Sequence, residues 1–377
     1  MTNRGYDIAI VGGGVIGLTL ARALCDDGAE VAIIDAGSAI PAATHAAAGM
    51  LAPSFEHAGE LAGGETPLSE ALYHLGSRGL AMWPDYAAAL EEETGVFVDF
   101  RGTGALGLAY DEDEAHALEM QAARVRALGG AATIISGDDA RALEPALSKD
   151  VIAALHAPQD AQVDPRRLTV ALRVALDRRM APHLAARVAG LERNGAAHVL
   201  LLDGGGRIEA EKLVLASGAV SGLIPRGMVH PVKGEAVAVA LNDGVLTRIV
   251  RAPGAYLCPK AEGRLVIGAT ETRGRDDLSV TDEGIAGLRA GAKRAAPAIA
   301  AAPELERWAG LRPGTPDGAP ILGQDEEGRF LALGHYRNGV LHAPAVARAM
   351  AALILGRAPE IDLAPFSRNR LGSDANG

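Results

Sequence analysis

Apolar and polar positions first fall into a recognisable unit between Asp7 and Asp35, in DIAIVGGGVIGLTLARALCDDGAEVAIID. Ile8 to Val11 is a short apolar run that predicts a strand. Helical periodicity then runs to Leu24, Gly28 stops it, and Val31 to Ile34 predicts a second strand closing on Asp35. Leu68 to Leu90 and Asp111 to Leu128 read as further helices. The second has an acidic start, Arg124 and Arg126 near its end and Gly129-Gly130 as its stop, which suits the helix dipole. From Ala185 the pattern turns to strands. Arg187 to Arg193, a turn at Asn194-Gly195, Ala197 to Leu202 and Arg207 to Glu209 predict a three-stranded meander, and Lys212 to Ala219 predicts a buried parallel strand ending in small residues. Glu235 to Leu241, Leu246 to Arg251, Ala255 to Cys258 and Leu265 to Gly268 predict an antiparallel sheet. Helices are expected from Thr281 to Ala295 and from Pro344 to Leu355, with a frayed polar tail from Ser367 to Gly377.

Length and charge narrow the class. A chain of 377 residues exceeds one typical core, so two domains are expected. A net charge of −11 without a basic cluster argues against a nucleic-acid or anionic-membrane surface. Cys25 and Cys258 are too few for a disulfide framework and suit a reducing compartment as buried structural thiols. Ile8 to Leu24 is apolar enough to imitate a signal or membrane segment. Its glycine cluster, the missing basic flank and the following Cys-Asp-Asp-Gly favour a turn and helix instead, and a cytoplasmic protein. The acidic runs Asp111 to Glu114 and Glu91 to Glu93 read as solvated faces. The ten histidines show no ligand spacing, so no metal is predicted.

The chemistry lies in the glycines. Gly12, Gly14 and Gly17 stand between strand and helix as the dinucleotide fingerprint: a tight turn, a close approach of backbone to pyrophosphate, and close packing of helix on strand. The helix N-terminus offers free N–H groups and partial positive charge to phosphates. Asp35 can accept ribose hydroxyls and disfavours a 2′-phosphate. The run Thr44 to Pro53 is made of small residues, which lets backbone lie flat against a large planar group such as a flavin, with an alanine-rich helix start as the alternative.

Six stretches carry a resemblance. They are the fingerprint, Ala46-Ala47-Ala48-Gly49-Met50-Leu51, Pro231 to Glu235, Gly263 to Thr270, Trp308 to Thr315, and Gly334-His335-Tyr336-Arg337-Asn338-Gly339. Together, in the same order from about Asp7 to about Leu355, the chain resembles the FAD-dependent glycine oxidases of thiamine biosynthesis, in the D-amino-acid oxidase superfamily. The resemblance implies an α/β fold, a glutathione-reductase-like Rossmann FAD domain (1–84, 156–228 and 308–367), and an α+β substrate domain with an antiparallel sheet (85–155 and 229–307), followed by a flexible tail (368–377). It implies oxidation of glycine, sarcosine and small D-amino acids to the imine, with O2 reduced to H2O2. By motif position, Arg312 would bind the substrate carboxylate, Tyr256 would hydrogen-bond it, and Arg337 and Met50 would line the pocket. FAD would be contacted by Gly12, Gly14, Val15, Ile16, Gly17, Asp35, Thr44, Ala47, Ala48, Gly49, Met50, Val188, Ser217, Gly218 and Gly310. The stretch Gly334, His335, Arg337, Asn338, Gly339, Val340 and Leu341 would contact it as well. The implied partners are a small amino acid and O2, with no nucleic acid and no membrane, in a homo-oligomer.

These roles make chemical sense. Hydride transfer from Cα needs a neutral amine, a fixed Cα and exclusion of water, and an arginine fork fixes a carboxylate better than lysine does. Bland alternatives stay open: a surface ion pair for Arg312, simple packing for Tyr256, a structural hydrogen bond for His335, support of the loop for Arg337. Two departures stand out. Sarcosine oxidases attach FAD through a cysteine close to the region of Arg312 to Asp317; none occurs here, so noncovalent FAD is expected. Glu271 stands where some relatives place an apolar residue such as Met, so it either alters substrate preference or points to solvent. Competing readings are a D-amino-acid dehydrogenase that passes electrons to a quinone, and a non-catalytic flavin-binding module.

Overall fold

The computed structural model describes residues 5–37, 43–56, 66–219, 221–225 and 227–372. Two large sheets organise them. At the centre of the first, which has eight strands, lies Gly5–Val11, with Arg207–Leu215 and Val31–Asp35 parallel to it on either side. His183–Ala185 and Phe330–Leu333 extend the parallel set, and Ile321–Gln324 closes one edge antiparallel. The unbroken apolar run of the first strand follows from cover on both faces. Ile8 and Ile10 pack under the helices Val15–Asp26, Pro165–Arg178 and Gly339–Ile354, whereas Ala9 and Val11 join Val188, Leu200 and Ile208 on the opposite face. The expected meander and the expected parallel strand share an element. Arg207–Leu215 begins antiparallel to Ala197–Leu202 and continues beside Gly5–Val11.

The second sheet has nine strands. His230–Ala240 sits in it between Arg264–Gly268 and Glu304–Gly314, antiparallel to both. The four strands expected there pair antiparallel in the order His230–Ala240, Arg264–Gly268, Ala255–Lys260, Ile249–Ala252, and the sheet continues to Ala105–Ala109, which runs parallel to Ile249–Ala252. Helix Asp282–Ala295 covers one face, placing Ile285, Leu288 and Ala292 on Val237, Val239, Leu265 and Ile267, and the Thr281 side chain caps its start by accepting from Gly284 N–H at 3.1 Å.

Three expected boundaries fall inside elements. Residues 84/85 lie within helix Pro67–Thr94, whose Leu72, Leu75, Trp83, Ala87 and Leu90 all join the core of the first sheet. Residues 155/156 lie within strand Ala153–Ala157. Residues 307/308 lie within Glu304–Gly314, which pairs with His230–Ala240 along its length. Local composition carries no record of which distant strand a residue will pair with. The last long helix starts at Gly339, with Pro344 inside it, and not at the proline. The C-terminal stretch is also more ordered than expected. Arg368–Leu371 forms a 3₁₀ turn in which Arg370 donates to the Asp317 carboxylate at 2.7 and 3.0 Å and to the Ala319 carbonyl at 2.7 Å. Residues 373–377 of the expected tail lie outside those described.

Trp83 joins the two helices that back the site. It is fully buried and its indole N–H donates to the Leu341 carbonyl at 3.2 Å. Trp83→Ala is expected to cost about 3–5 kcal/mol, seen as a lower denaturant midpoint, and Trp83→Phe distinctly less because the volume is largely kept.

Candidate cofactor and substrate site

Helix Val15–Asp26 begins with Gly14 as its N-cap, which has no side chain to cap it, and Thr44 Oγ1 accepts the Val15 N–H at 3.0 Å. Gly12 has φ +118°, and a Cβ there would come within 2.2 Å of the Ala216 carbonyl oxygen. At Gly17 a Cβ would lie 1.9 Å from the Gly12 oxygen. So these two glycines let strand, turn and helix meet. At Gly14 a Cβ would meet only Thr44 Oγ1, at 3.4 Å, and the space above it is open. That space is a cavity of about 450 Å³ running from Asp35 to His335. Asp35 lies on its wall, accepting N–H groups of Gly13 at 2.6 Å and Gly37 at 2.9 Å, with carboxylate lone pairs to spare.

A second helix, Gly339–Ile354, also points its N-terminus here, and its N-cap Asn338 makes no side-chain cap. Ser217 Oγ and His335 Nε2 are buried without a partner among the described residues, and both residues line the cavity. Burial pushes the His335 imidazole down to about 3, so it is neutral at ordinary pH. Its Nδ1 lies 3.4 Å from His342 Nδ1.

The small-residue run leads into an adjoining cavity of about 330 Å³ that shares Ala47, Leu311, Tyr336, Arg337 and Val340 with the first. Gly310 allows this: a Cβ there would sit 2.3 Å from the Ala46 Cβ. Trp308 fixes the same approach by donating to the Ala46 carbonyl at 3.0 Å, with the Arg166 guanidinium 4.9 Å over its ring. Arg312, Tyr256, Met50, Arg251, Glu56 and Glu271 line this second cavity. Arg312 donates to the Thr270 carbonyl from both Nη atoms at 3.2 and 3.3 Å and to the Lys233 carbonyl at 3.5 Å. It pairs with no carboxylate among the described residues. Arg251 pairs with Glu56, and Arg337 pairs with Glu271. Among the described residues three arginines thus face two glutamates, and the one without an ion pair is Arg312. Gly234 and Gly268 make room for this arrangement. A Cβ at Gly234 would lie 2.4 Å from an Arg312 Nη, and one at Gly268 would lie 2.3 Å from the Tyr256 hydroxyl. Burial pushes the Tyr256 hydroxyl up to about 12, so it stays protonated and able to donate.

Comparison with known proteins bears on this geometry. The pattern of the FAD-dependent oxidoreductase (DAO) family matches residues 7–353. The chain belongs to this family. FAD is therefore its cofactor. A glycine oxidase of Geobacillus kaustophilus (strain HTA426) is 36% identical over 98% of both chains. The crystal structure of glycine oxidase from Geobacillus kaustophilus superposes with a TM-score of 0.90 at 35% identity, over 98% of this chain and 99% of that one. A bifunctional protein ThiO/ThiG of Synechocystis sp. (strain ATCC 27184 / PCC 6803 / Kazusa) is 32% identical over 98% of this chain and 55% of its own length.

The residues of the first cavity fit FAD. Two helix N-termini whose own N-cap residues supply no side-chain cap suit an anionic group, the open face of Gly14 admits a pyrophosphate at the first, and Ser217 and His335 bring buried polar atoms that lack partners among the described residues. Of the residues expected at the site, Gly17 and Leu341 do not reach either wall. Gly17 packs on Gly12, and Leu341 is fully buried with its carbonyl on Trp83. Every other expected residue lines one or both cavities. Glu271 does not simply face solvent: it lies in the cavity wall, paired with Arg337. Sequence reasoning missed Glu56 and Arg251 as wall residues, and also Ala186, Arg187 and Pro313. Single glycines inside strands, at Gly234 and Gly268, were the available signal of close approach.

Beneath this wall the oxidoreductase holds a buried acid. The Asp160 carboxylate accepts from the Ser54 hydroxyl at 2.9 Å, and burial lifts its carboxyl to about 8 against the opposing pull of Ser54 and Arg251. The fold keeps a proton here that the unfolded chain releases near pH 4. This contribution is therefore full below about pH 4 and is lost as pH rises through about 8. Asp160→Asn removes that slope, so the variant gains on the wild type between pH 5 and pH 8 by more than about 1.4 kcal/mol, measured by denaturant unfolding at both pH values.

Proposed function

We propose that this FAD-dependent oxidoreductase oxidises glycine, and sarcosine and small D-amino acids beside it, to the imine while O2 is reduced to H2O2. The observation that carries this reading is Arg312: a guanidinium facing a cavity, held by main-chain carbonyls and paired with no carboxylate among the described residues. A carboxylate is the ligand that such a planar fork takes best. Bound FAD supplies the acceptor for the hydride of Cα and the route of the electrons to O2.

The remaining work falls to the chain. Arg312 fixes the carboxylate, and the protonated Tyr256 hydroxyl donates a second hydrogen bond to it. Met50 and the Ala47 to Gly49 backbone form an apolar wall that excludes water and holds Cα toward the first cavity. Asp35 would hold the ribose hydroxyls, and the N-terminus of Val15–Asp26 would hold the pyrophosphate. The N-terminus of Gly339–Ile354, with its N–H groups and partial positive charge, would stabilise the negative charge of the reduced cofactor. Neither cysteine lines either cavity, which supports noncovalent FAD.

On this reading the first sheet with its helices is the FAD domain, and the second sheet, including all of Glu304–Gly314, is the substrate domain. A cytoplasmic setting is part of the same proposal, supported by two cysteines that form no disulfide. No helix among the described residues is long and apolar enough to cross a membrane. The imine is proposed to serve thiazole formation in thiamine biosynthesis. A relative built as a bifunctional chain, of which this chain covers about half, supports a product passed to a second activity.

The test is a substrate panel scored for flavin reduction and peroxide together. Glycine, sarcosine or D-alanine is expected to give H2O2 in step with O2 consumption. No peroxide with any of them contradicts the reading, and dye reduction without O2 turnover points to a dehydrogenase instead.

A further inference from the structure

Thr270 and Glu271 are neighbours with opposite relations to Arg312. The Thr270 carbonyl accepts from both of its Nη atoms, while the Glu271 carboxylate lines the same cavity and is paired with Arg337. A carboxylate one residue from the main-chain anchor of a guanidinium without an ion pair among the described residues is that guanidinium's natural competitor for a substrate. We propose that Arg337 is a positioning residue that holds Glu271 off Arg312, keeping the Arg312 fork open to an incoming carboxylate. This rests on the reading of Arg312 given above, and it assigns Arg337 a task other than touching the substrate.

Three observations support it. Arg337 is anchored from a different element than Glu271, in the turn before helix Gly339–Ile354, and its Nη1 also lies 3.9 Å from Glu56 Oε2, so it has a fixed place from which to hold the acid. Among the described residues Arg273 also pairs with Glu271, its Nε at 3.5 Å, but the Arg273 side chain is 72% exposed and its pairing is weakened by water. Burial alone would raise the Glu271 carboxyl. Hydrogen bonds from Arg337 and then from Tyr336, with the charges of Arg337 and Arg312, together outweigh burial, so the group titrates below the usual carboxylate range. Glu271 is thus ionised and already feels the field of Arg312, and the ion pair with Arg337 keeps it from closing on Arg312.

The test is a double-mutant cycle on FAD-loaded protein. It uses two readouts: perturbation of the flavin absorbance by acetate, which reports carboxylate binding without turnover, and KM against kcat for glycine. Arg337→Ala is expected to weaken acetate and raise the glycine KM by about 30-fold or more, because freeing one member of a partly buried ion pair costs several kcal/mol. The double variant Arg337→Ala with Glu271→Gln is expected to recover at least about tenfold of that loss, a non-additivity that direct contact of Arg337 with substrate does not produce. Arg337→Lys keeps a cation beside Glu271 and is expected to stay within about threefold of wild type, whereas a bidentate grip on the substrate would be lost with lysine. Retained FAD serves as the folding control, and the lysine variant carries the test if the alanine variant does not fold. The inference is overturned if the double variant binds acetate as weakly as Arg337→Ala, if Arg337→Ala binds it as well as wild type, or if Arg337→Lys is as impaired as alanine. Because acetate binding needs no turnover, a wild type that binds acetate through this pair yet oxidises no amine would sink the proposed function and leave this inference standing.

Discussion

Arg312→Ala is expected to raise the glycine concentration for half-maximal turnover by about two to three orders of magnitude while FAD stays bound, since losing one partner of a buried charge pair costs about 3–5 kcal/mol. The variant removes the arginine of the second cavity that has no ion pair among the described residues, and it leaves behind Arg251 and Arg337, each already paired with a glutamate. Neither can move to the substrate without abandoning an acid in a partly buried wall. Arg312→Lys is expected to recover little. A lysine ammonium offers a point charge on a flexible stem where the strand Glu304–Gly314 presents a rigid fork, and the Thr270 carbonyl that now holds two Nη atoms would consume its donors. Flavin absorbance of the purified variants checks that the cofactor is retained. Release of FAD from Arg312→Ala would instead make Arg312 a structural residue.

Gly12→Ala is expected to yield protein without FAD and with stability lower by about 2–4 kcal/mol, from left-handed backbone strain together with a steric clash. The added Cβ would sit 2.2 Å from the Ala216 oxygen, a backbone atom just past the end of the neighbouring strand Arg207–Leu215 that cannot swing aside as a side-chain end can. Relief requires separating Gly5–Val11 from Arg207–Leu215 at their C-terminal ends, where the cofactor cavity opens. Gly14→Ala makes the contrast. Its Cβ has space within the protein itself, with Thr44 Oγ1 at 3.4 Å, so the fold is expected to survive while FAD affinity falls. Unfolding midpoints and FAD occupancy, measured on both variants, separate the two effects.

What could be read in the sequence follows from what is local. The first strand, turn, helix and second strand were legible because periodicity, glycines and the terminal Asp35 lie within one short stretch, and the structure places Gly12, Gly14 and Asp35 on one cavity wall. The helices Glu112–Ala127 and Asp282–Ala295 were legible for the same reason, each with a capping residue just before it, whereas Pro67–Thr94 runs four residues past its expected end at Leu90. Domain boundaries were not. Glu304–Gly314 changes character near Trp308, yet it pairs throughout with a strand some seventy residues away, and pairing between distant segments leaves no local mark. Leu341 was misplaced because the motif that contains it faces the cavity with Gly339 and Val340, and helical rotation carries the next residue into the core toward Trp83. Glu56 and Arg251 escaped because an ion pair across 195 positions has no spacing to recognise. The resemblance supplied Arg312 and Tyr256. What the fold added is the charge inventory around them, and with it the reason Arg312 in particular is open to a ligand.

The most direct measurement is anaerobic mixing of the FAD-loaded protein with glycine while the flavin absorbance is followed. The account predicts bleaching whose rate saturates with glycine concentration, and which acetate slows by competing at Arg312. Flavin that stays oxidised with glycine, sarcosine and D-alanine alike, or bleaching that acetate leaves untouched, would contradict it.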